Sequence, residues 1–98
     1  ILMDPPSYGR GPSGEVWKLE NELSSLAEES AKLLSDRPVF FLINSYTTGL
    51  SPSVMGYILG SVLTDRFGGR VSFDEICLPV KSTGMTLPCG STAIWEAK

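Results

Sequence analysis

The sequence contains no histidine and only two cysteines, Cys77 and Cys89. A nucleophile activated by histidine is therefore excluded, because no imidazole is present to accept its proton. Two cysteines do not supply the four ligands of a structural zinc site, so we predict no metal. They are widely spaced and form no CxxC motif. This favours free thiols in a reducing compartment, and predicts a cytoplasmic protein.

Long apolar runs and an excess of basic residues are also missing. No stretch approaches the ~20 apolar residues that a membrane-spanning helix requires, so we expect no membrane partner. The chain has 8 basic and 11 acidic residues, a net charge of -3. Nucleic-acid affinity depends largely on cationic contacts to phosphates. This segment alone is therefore not expected to hold an RNA or DNA backbone.

The length of 98 residues indicates one small domain, since it leaves no room for two independent cores. The 42% hydrophobic and 19% charged content is typical of a globular chain. The chain opens on the apolar run Ile1-Leu2-Met3 rather than on a polar lead-in. We therefore expect residues 1–98 to form a single fragment of a larger protein.

Hydrophobic patterning predicts the element order β, α, β, α, β, β. Residues 1–3 are interpreted as the end of a buried strand, because the following prolines cannot donate a backbone N–H. Apolar spacings of three and four predict an amphipathic helix over residues 15–34. The apolar run 39–43 is typical of a central parallel strand, and residues 44–50 are expected to be its polar exit loop.

A second helix is predicted between Ser51-Pro52, a favourable N-terminus, and Gly68-Gly69, a favourable stop. Gly56 and Gly60 either mark a docking face on this helix or allow close packing on a sheet, and we favour the packing. The last strands are predicted at residues 71–79 and 92–97. Their connection is too short for a helical crossover, so we expect antiparallel pairing.

The predicted fold class is α/β, half of a doubly wound sheet closed by an antiparallel hairpin. Trp17, Trp95 and Cys77 are expected to be core residues.

Residues 9–14 satisfy GxGxxG, the spacing of a dinucleotide-binding turn. In such a turn, backbone N–H groups at a helix start approach a pyrophosphate. Pro12 removes one of these donors, and no acidic residue ends the next strand, where the ribose is held. We interpret residues 7–14 as a flexible loop over a site. A nucleotide-dependent oxidoreductase is the alternative.

The run from Asp4 to Tyr8, Asp-Pro-Pro-Ser-Tyr, carries the most specific site prediction. It follows a strand, and α/β sheets bind ligands at the carboxyl ends of their strands. Two prolines stiffen the backbone and fix the Asp4 carboxylate and the Pro5 carbonyl. These two acceptors suit an amino group, such as the exocyclic nitrogen of a base that stacks on Tyr8. Alternatively, the run merely ends a strand.

Two other groups of residues are weaker candidates. Asn44, Ser45 and Tyr46 end the central strand and either line the same cleft or form a plain polar turn. Arg10 is either a phosphate contact or a solvated surface residue.

The run Ile1-Leu2-Met3-Asp4-Pro5-Pro6-Ser7-Tyr8 resembles motif IV of class I S-adenosylmethionine-dependent methyltransferases, with its (D/N)PP-aromatic core on the fourth strand. The order of the later elements is also similar, so the resemblance spans the chain. It implies a partial Rossmann-like sheet with strands four to seven of that family, in which strand seven lies antiparallel between five and six. Within the class, the large-subunit ribosomal RNA methyltransferases are most similar.

The resemblance implies a parent enzyme that methylates a nucleobase of ribosomal RNA, with S-adenosylmethionine as the cofactor. The implied catalytic residues are Asp4, Pro5, Pro6 and Tyr8, and the implied substrate-binding residues are Asn44, Ser45, Tyr46 and Arg10. The cofactor motif of the family is expected upstream of Ile1, so its binding residues are unknown here. The isolated chain is expected to be inactive.

Family members that methylate carbon 5 of cytosine have a cysteine nucleophile in motif IV or after strand five. This sequence has Asn44-Ser45-Tyr46 at the latter place, so a covalent thiolate mechanism is not expected. The first strand is an expected sheet edge, through which the chain self-associates. The alternative to an enzyme is an α/β binding module that uses the glycine-rich loop.

Overall fold

The computed structural model describes residues 1–98 as a four-stranded sheet, a two-stranded ribbon and two helices. The elements in chain order are β1 (Leu2–Met3), β2 (Tyr8–Arg10), β3 (Val16–Lys18), α1 (Leu19–Ala31), β4 (Phe40–Ser45), α2 (Pro52–Phe67), β5 (Arg70–Pro79) and β6 (Thr86–Glu96). Neither helix is long and apolar enough to cross a membrane.

The four-stranded sheet has the order β1-β4-β6-β5. β1 pairs parallel with β4, whereas β6 lies antiparallel between β4 and β5. The last strand therefore inserts between the two strands before it, as the resemblance implied, and β1 is an edge strand. The predicted α/β fold class with an antiparallel closing hairpin is confirmed.

The core lies between the helices and one face of the sheet. Alternation along β4 and β6 turns Phe41, Ile43, Ala93 and Trp95 to this side, and all four are buried. The helices contribute Leu19, Leu23, Ala27, Ala31, Met55, Leu59 and Leu63 to the same cluster. Burial of each large side chain contributes about 1.5 to 3 kcal/mol. This cluster is therefore the main source of stability, and it holds β4 and β6 in place against the helices.

The second helix is close to its prediction. The Ser51 side chain accepts a hydrogen bond from the Val54 backbone N–H, and Gly68 ends the helix at φ +67°. A Cβ on Gly56 would overlap the Phe73 ring of β5. Gly56 thus allows close packing on the sheet, the interpretation that we favoured, whereas a Cβ on Gly60 would make only an ordinary contact with Val71.

The first part of the chain differs from its prediction. Residues 7–14 are not entirely a loop, because Tyr8–Arg10 pairs antiparallel with Val16–Lys18. The first helix consequently begins at Leu19 instead of Glu15. Residues 16–18 fit the periodicity of a helix as well as that of a strand. Val16 and Trp17 favour a strand once a partner strand is present. Gly14, at φ +87°, turns the chain between the two strands.

The strand bounds near the carboxyl edge also differ. Asn44 and Ser45 belong to β4, because Thr92 and Ser91 of β6 provide their partners. β6 begins at Thr86 instead of residue 92, so β5 and β6 form one long hairpin. Residues 76–90 extend past the last β4–β6 pair and are called the arm.

One core prediction is wrong and one is confirmed, whereas Trp17 is only partly buried but packs against the core cluster. Cys77 lies on the arm, where β5 has no cover, and is exposed. Trp17 is half-buried in the ribbon, and its indole N–H donates a hydrogen bond to the Pro6 carbonyl. Trp95 is buried, and its indole N–H donates to the Gly68 carbonyl at 2.8 Å. The buried indole is therefore satisfied.

Candidate functional site

The carboxyl ends of β1 and β4 meet at one edge of the sheet. The strands are parallel, and Met3 pairs with Ile43. The residues that follow, Asp4 to Ser7, are called the corner and start beside Asn44. Asp4 is exposed. Asp4 thus lies at the carboxyl end of β1, as the sequence predicted, and outside the buried core.

Three hydrogen bonds fix the corner to the rest of the molecule. The Trp17 indole N–H donates to the Pro6 carbonyl at 2.8 Å, and the Leu19 backbone N–H donates to the Ser7 carbonyl at 3.1 Å. The Thr47 hydroxyl donates to the Ser7 hydroxyl at 2.8 Å. The ribbon, the start of α1 and the loop after β4 thus hold the corner from different directions.

The corner leaves two neighbouring acceptors free. The Pro5 carbonyl and the Asp4 carboxylate accept no hydrogen bond from the chain, and Asp4 forms no ion pair. The next two carbonyls, of Pro6 and Ser7, are both occupied. A fixed backbone with two free acceptors is suited to a ligand group that carries two N–H donors.

Tyr8 and Arg10 lie together on the ribbon. They are two residues apart on β2 and therefore share a face, and the Arg10 guanidinium Nε donates to the Tyr8 hydroxyl at 3.0 Å. Tyr8 remains 52% exposed. The structure thus brings together a predicted aromatic platform and a predicted phosphate contact. Their roles toward a substrate stay predictions.

A cavity of about 590 Å³ opens between the loop after β4 and the arm. Ser45 and Tyr46, two of the three predicted residues, line it, whereas Asn44 does not. The Ser45 side chain is buried and accepts a hydrogen bond from the Thr47 backbone N–H at 3.1 Å. Glu75 is the single charged residue of the lining. The cavity therefore suits neutral or cationic polar groups better than phosphates.

Sequence reasoning missed the contribution of the arm and its base. Ser45 pairs with Ser91, and Ser91 pairs with Glu75, so three polar residues line up across β4, β6 and β5. Their alignment depends on strand register, for which the sequence has no local signal. Gly90 also lines the cavity. A glycine within a strand signals a close backbone approach, but Gly90 lies before the predicted strand 92–97, so this signal was not recognised.

Cys89 lies at the rim of this cavity, although it is far from residues 44–46 in the sequence. The β5–β6 register shifts between Ile76 and Cys77, which leaves Cys89 as the extra residue of a bulge. The Cys89 thiol donates to the Ile76 carbonyl at 3.3 Å, and Cys89 lines the cavity rim. Distance in sequence was thus a poor guide to its position.

The GxGxxG string does not form a helix-start turn. Its three glycines lie in the β2–β3 hairpin, and the N-cap of α1 is Lys18. Backbone N–H groups of these glycines are therefore not collected at a helix N-terminus, which the dinucleotide site requires. The glycine spacing therefore no longer supports a nucleotide-dependent oxidoreductase.

No family model matches this chain, and no curated protein matches it. Some solved structures are similar to this chain. The SAM-dependent methyltransferase from Agrobacterium tumefaciens is similar at 27% identity with a TM-score of 0.86, over 100% of this chain and 33% of that one.

SMU.776, assigned as a methyltransferase and solved in complex with SAH, is similar in fold at 18% identity and a TM-score of 0.55, over 97% of this chain and 25% of that one. The chain thus spans a third or less of either neighbour. Over its length it shares the α/β fold of these two proteins.

Proposed function

We propose that the chain is the carboxyl-terminal half of a class I SAM-dependent methyltransferase domain, whose parent methylates a nucleobase of large-subunit ribosomal RNA. One observation carries the proposal. The corner at the sheet edge is fixed by three hydrogen bonds, yet leaves the Asp4 carboxylate and the Pro5 carbonyl free. The 27% identity with the Agrobacterium methyltransferase over the whole chain supports methyl transfer.

The two free acceptors orient an acceptor nitrogen. An exocyclic amino group donates one hydrogen to Asp4 and the other to the Pro5 carbonyl, which turns its lone pair away from both. The prolines hold this geometry before binding, so little orientational entropy is lost on complex formation. The nitrogen gains positive charge as it takes the methyl group from a sulfonium donor, which would leave as a neutral thioether. The Asp4 carboxylate stabilises that charge, and the nitrogen then loses one proton to water. Asp4 therefore contributes more to the transition state than to the ground state.

S-adenosylmethionine, the cofactor of this proposal, supplies an electrophilic methyl group on a sulfonium centre. The residues present fit a cationic reacting centre, since the corner offers a carboxylate and the adjacent cavity is lined by hydroxyls and Glu75 without a basic residue. Asp4 and Pro5 belong to the acceptor side. The residues that hold the adenosine are proposed to lie upstream of Ile1.

The proposed RNA substrate presents an unstacked base, because a paired base hides its reactive edge. Tyr8 and Tyr46, each 52% exposed, are the aromatic platforms at this edge. Arg10 is the proposed phosphate contact. Since the chain is acidic overall, most of the RNA affinity is assigned to other parts of the parent.

The first test replaces Asp4 by Ala in the parent protein. We expect methyl transfer from tritiated S-adenosylmethionine to an unmodified ribosomal RNA transcript to fall by about 100-fold or more, since one charged contact to the transition state is lost. Cofactor affinity, measured by calorimetry, is expected to remain. Asp65→Ala, which removes an exposed carboxylate on α2, is the matched control. Unchanged activity of the Asp4 variant would remove Asp4 from the mechanism.

The edge strand β1 is paired on one side, by β4 alone. We propose that its other side pairs with a further strand of the parent, and that the isolated chain uses this side for self-association. Light scattering of the isolated chain tests the second statement. A mass equal to that of one chain at high concentration would contradict it.

A further inference from the structure

Gly90 lies opposite Tyr46, one position beyond the last β4–β6 pair, Ser45 with Ser91. A Cβ on Gly90 would lie 2.7 Å from Cδ1 and 2.8 Å from Cε1 of the Tyr46 ring. It would also lie 2.9 Å from the Ser45 carbonyl oxygen. Cβ atoms essentially never approach heavy atoms closer than 3.0 Å. Since one of these obstacles is backbone, a side chain here displaces either the ring or the end of β4.

Backbone conformation does not account for this glycine. Five glycines of the chain have positive φ, and Gly90 is not one of them. Residues other than glycine can therefore adopt its backbone angles. What excludes a side chain at this position is the lack of space for a Cβ. The Tyr46 ring and the Ser45 carbonyl oxygen occupy the space that a Cβ would need.

Because Gly90 has no Cβ, one edge of the Tyr46 ring can pack directly against its backbone. The ring is still 52% exposed, so much of its surface stays available to a ligand. Gly90 pairs with Ile76, immediately before the register shift in the arm. Bulges bend a ribbon and re-aim side chains. This one lies where the arm reaches the cavity, next to Tyr46.

We propose that Gly90 is a positioning residue for the acceptor: it sets the plane of the Tyr46 ring, on which a planar heteroaromatic base stacks. The inference rests on the proposed function and deepens it by assigning part of the acceptor pocket to the arm. The lining favours this ligand class, because it offers an aromatic ring and hydroxyls but no cation for a phosphate.

The test is Gly90→Ala in the parent protein, assayed with tritiated S-adenosylmethionine and an unmodified large-subunit ribosomal RNA transcript. We expect the KM for RNA to rise by about tenfold, because the stacking platform is displaced, whereas kcat changes less. Gly60→Ala is the control, because a Cβ there meets Val71 Cγ2 at an ordinary 3.5 Å. Its KM and kcat are expected to equal those of the wild type.

A double-mutant cycle separates positioning from a merely structural role. Tyr46→Leu is expected to raise KM by itself, and Tyr46→Phe to recover most of that loss. Gly90→Ala is expected to add little to KM in the Tyr46→Leu background, since the ring that it displaces is gone. A structural role acting through the Ser45 carbonyl predicts the same added loss in both backgrounds.

Four outcomes overturn the inference. In the first, the wild type is active and Gly90→Ala leaves KM unchanged. In the second, the losses of Gly90→Ala and Tyr46→Leu are additive. If Gly90→Ala does not fold, a KM for Tyr46→Leu equal to that of the wild type overturns it. A wild type that transfers no methyl group to RNA overturns the proposed function as well, and is recognised without any variant.

Discussion

The corner and the arm reach the same edge of the sheet but are held there in different ways. The corner has almost no secondary structure of its own, and partners from three other elements fix it. The arm is regular β structure, yet beyond Ser91 its strands pair only with each other. A two-stranded ribbon without a further partner is marginally stable in water. Because tertiary hydrogen bonds hold the corner, we expect it to be more rigid than the arm, although the arm has more secondary structure.

Hydrogen exchange is expected to show the largest contrast between these regions. The Leu19 amide donates to the corner at 3.1 Å, and the Val80 amide donates to Met85 in the arm at 2.8 Å. Leu19 is buried, whereas the arm is largely exposed. We expect the Leu19 amide to exchange on the order of 100-fold more slowly, equivalent to about 2.7 kcal/mol of local opening. Equal rates, measured by NMR, would contradict the comparison.

Removal of one bond to the corner is expected to have an intermediate effect. Trp17→Phe keeps an aromatic ring but deletes the indole N–H that donates to Pro6. We expect the free energy of unfolding to fall by about 1 kcal/mol, and the activity of the parent to fall with it. Denaturant titration measures the first quantity. Loss of stability without loss of activity would show that the rigidity of the corner is not needed for catalysis.

Truncation of the arm is expected to have the smallest effect on stability. Replacing residues 80–85 by Asn-Gly removes an exposed tip and joins the paired strands by a favourable two-residue turn. We expect the free energy of unfolding to change by no more than about 0.5 kcal/mol. Thermal melting of the variant checks this. A change of several degrees would mean that the tip has a structural partner in the fold.

Much of the fold was predictable, because its signals are local. The apolar run 39–43 indicated a central strand, and Ser51-Pro52 and Gly68 marked the ends of α2. The position of Asp4 at the carboxyl edge also followed from sequence, since a strand directly precedes it. These inferences need only the residue types and their spacing over a few positions.

Other features were not predictable, because they depend on which strands become neighbours. Val16–Lys18 is too short for its periodicity to distinguish strand from helix, and its partner β2 decided the outcome. The row Ser45, Ser91 and Glu75 exists only in the register of β4, β6 and β5. A shift of one position would turn each of these side chains to the other face.

The sequence by itself determined the chemistry of the corner: an acidic residue, two prolines that stiffen the backbone, and a preceding strand that ends there. Only the tertiary structure decided which acceptors stay free, because the donors that occupy Pro6 and Ser7 come from β3, α1 and the loop after β4. It also decided that Gly90 meets Tyr46, since the pairing of Ser45 with Ser91 brings these two residues together across a long sequence separation. Local patterns are encoded by neighbours along the chain, whereas a binding site depends on distances through space.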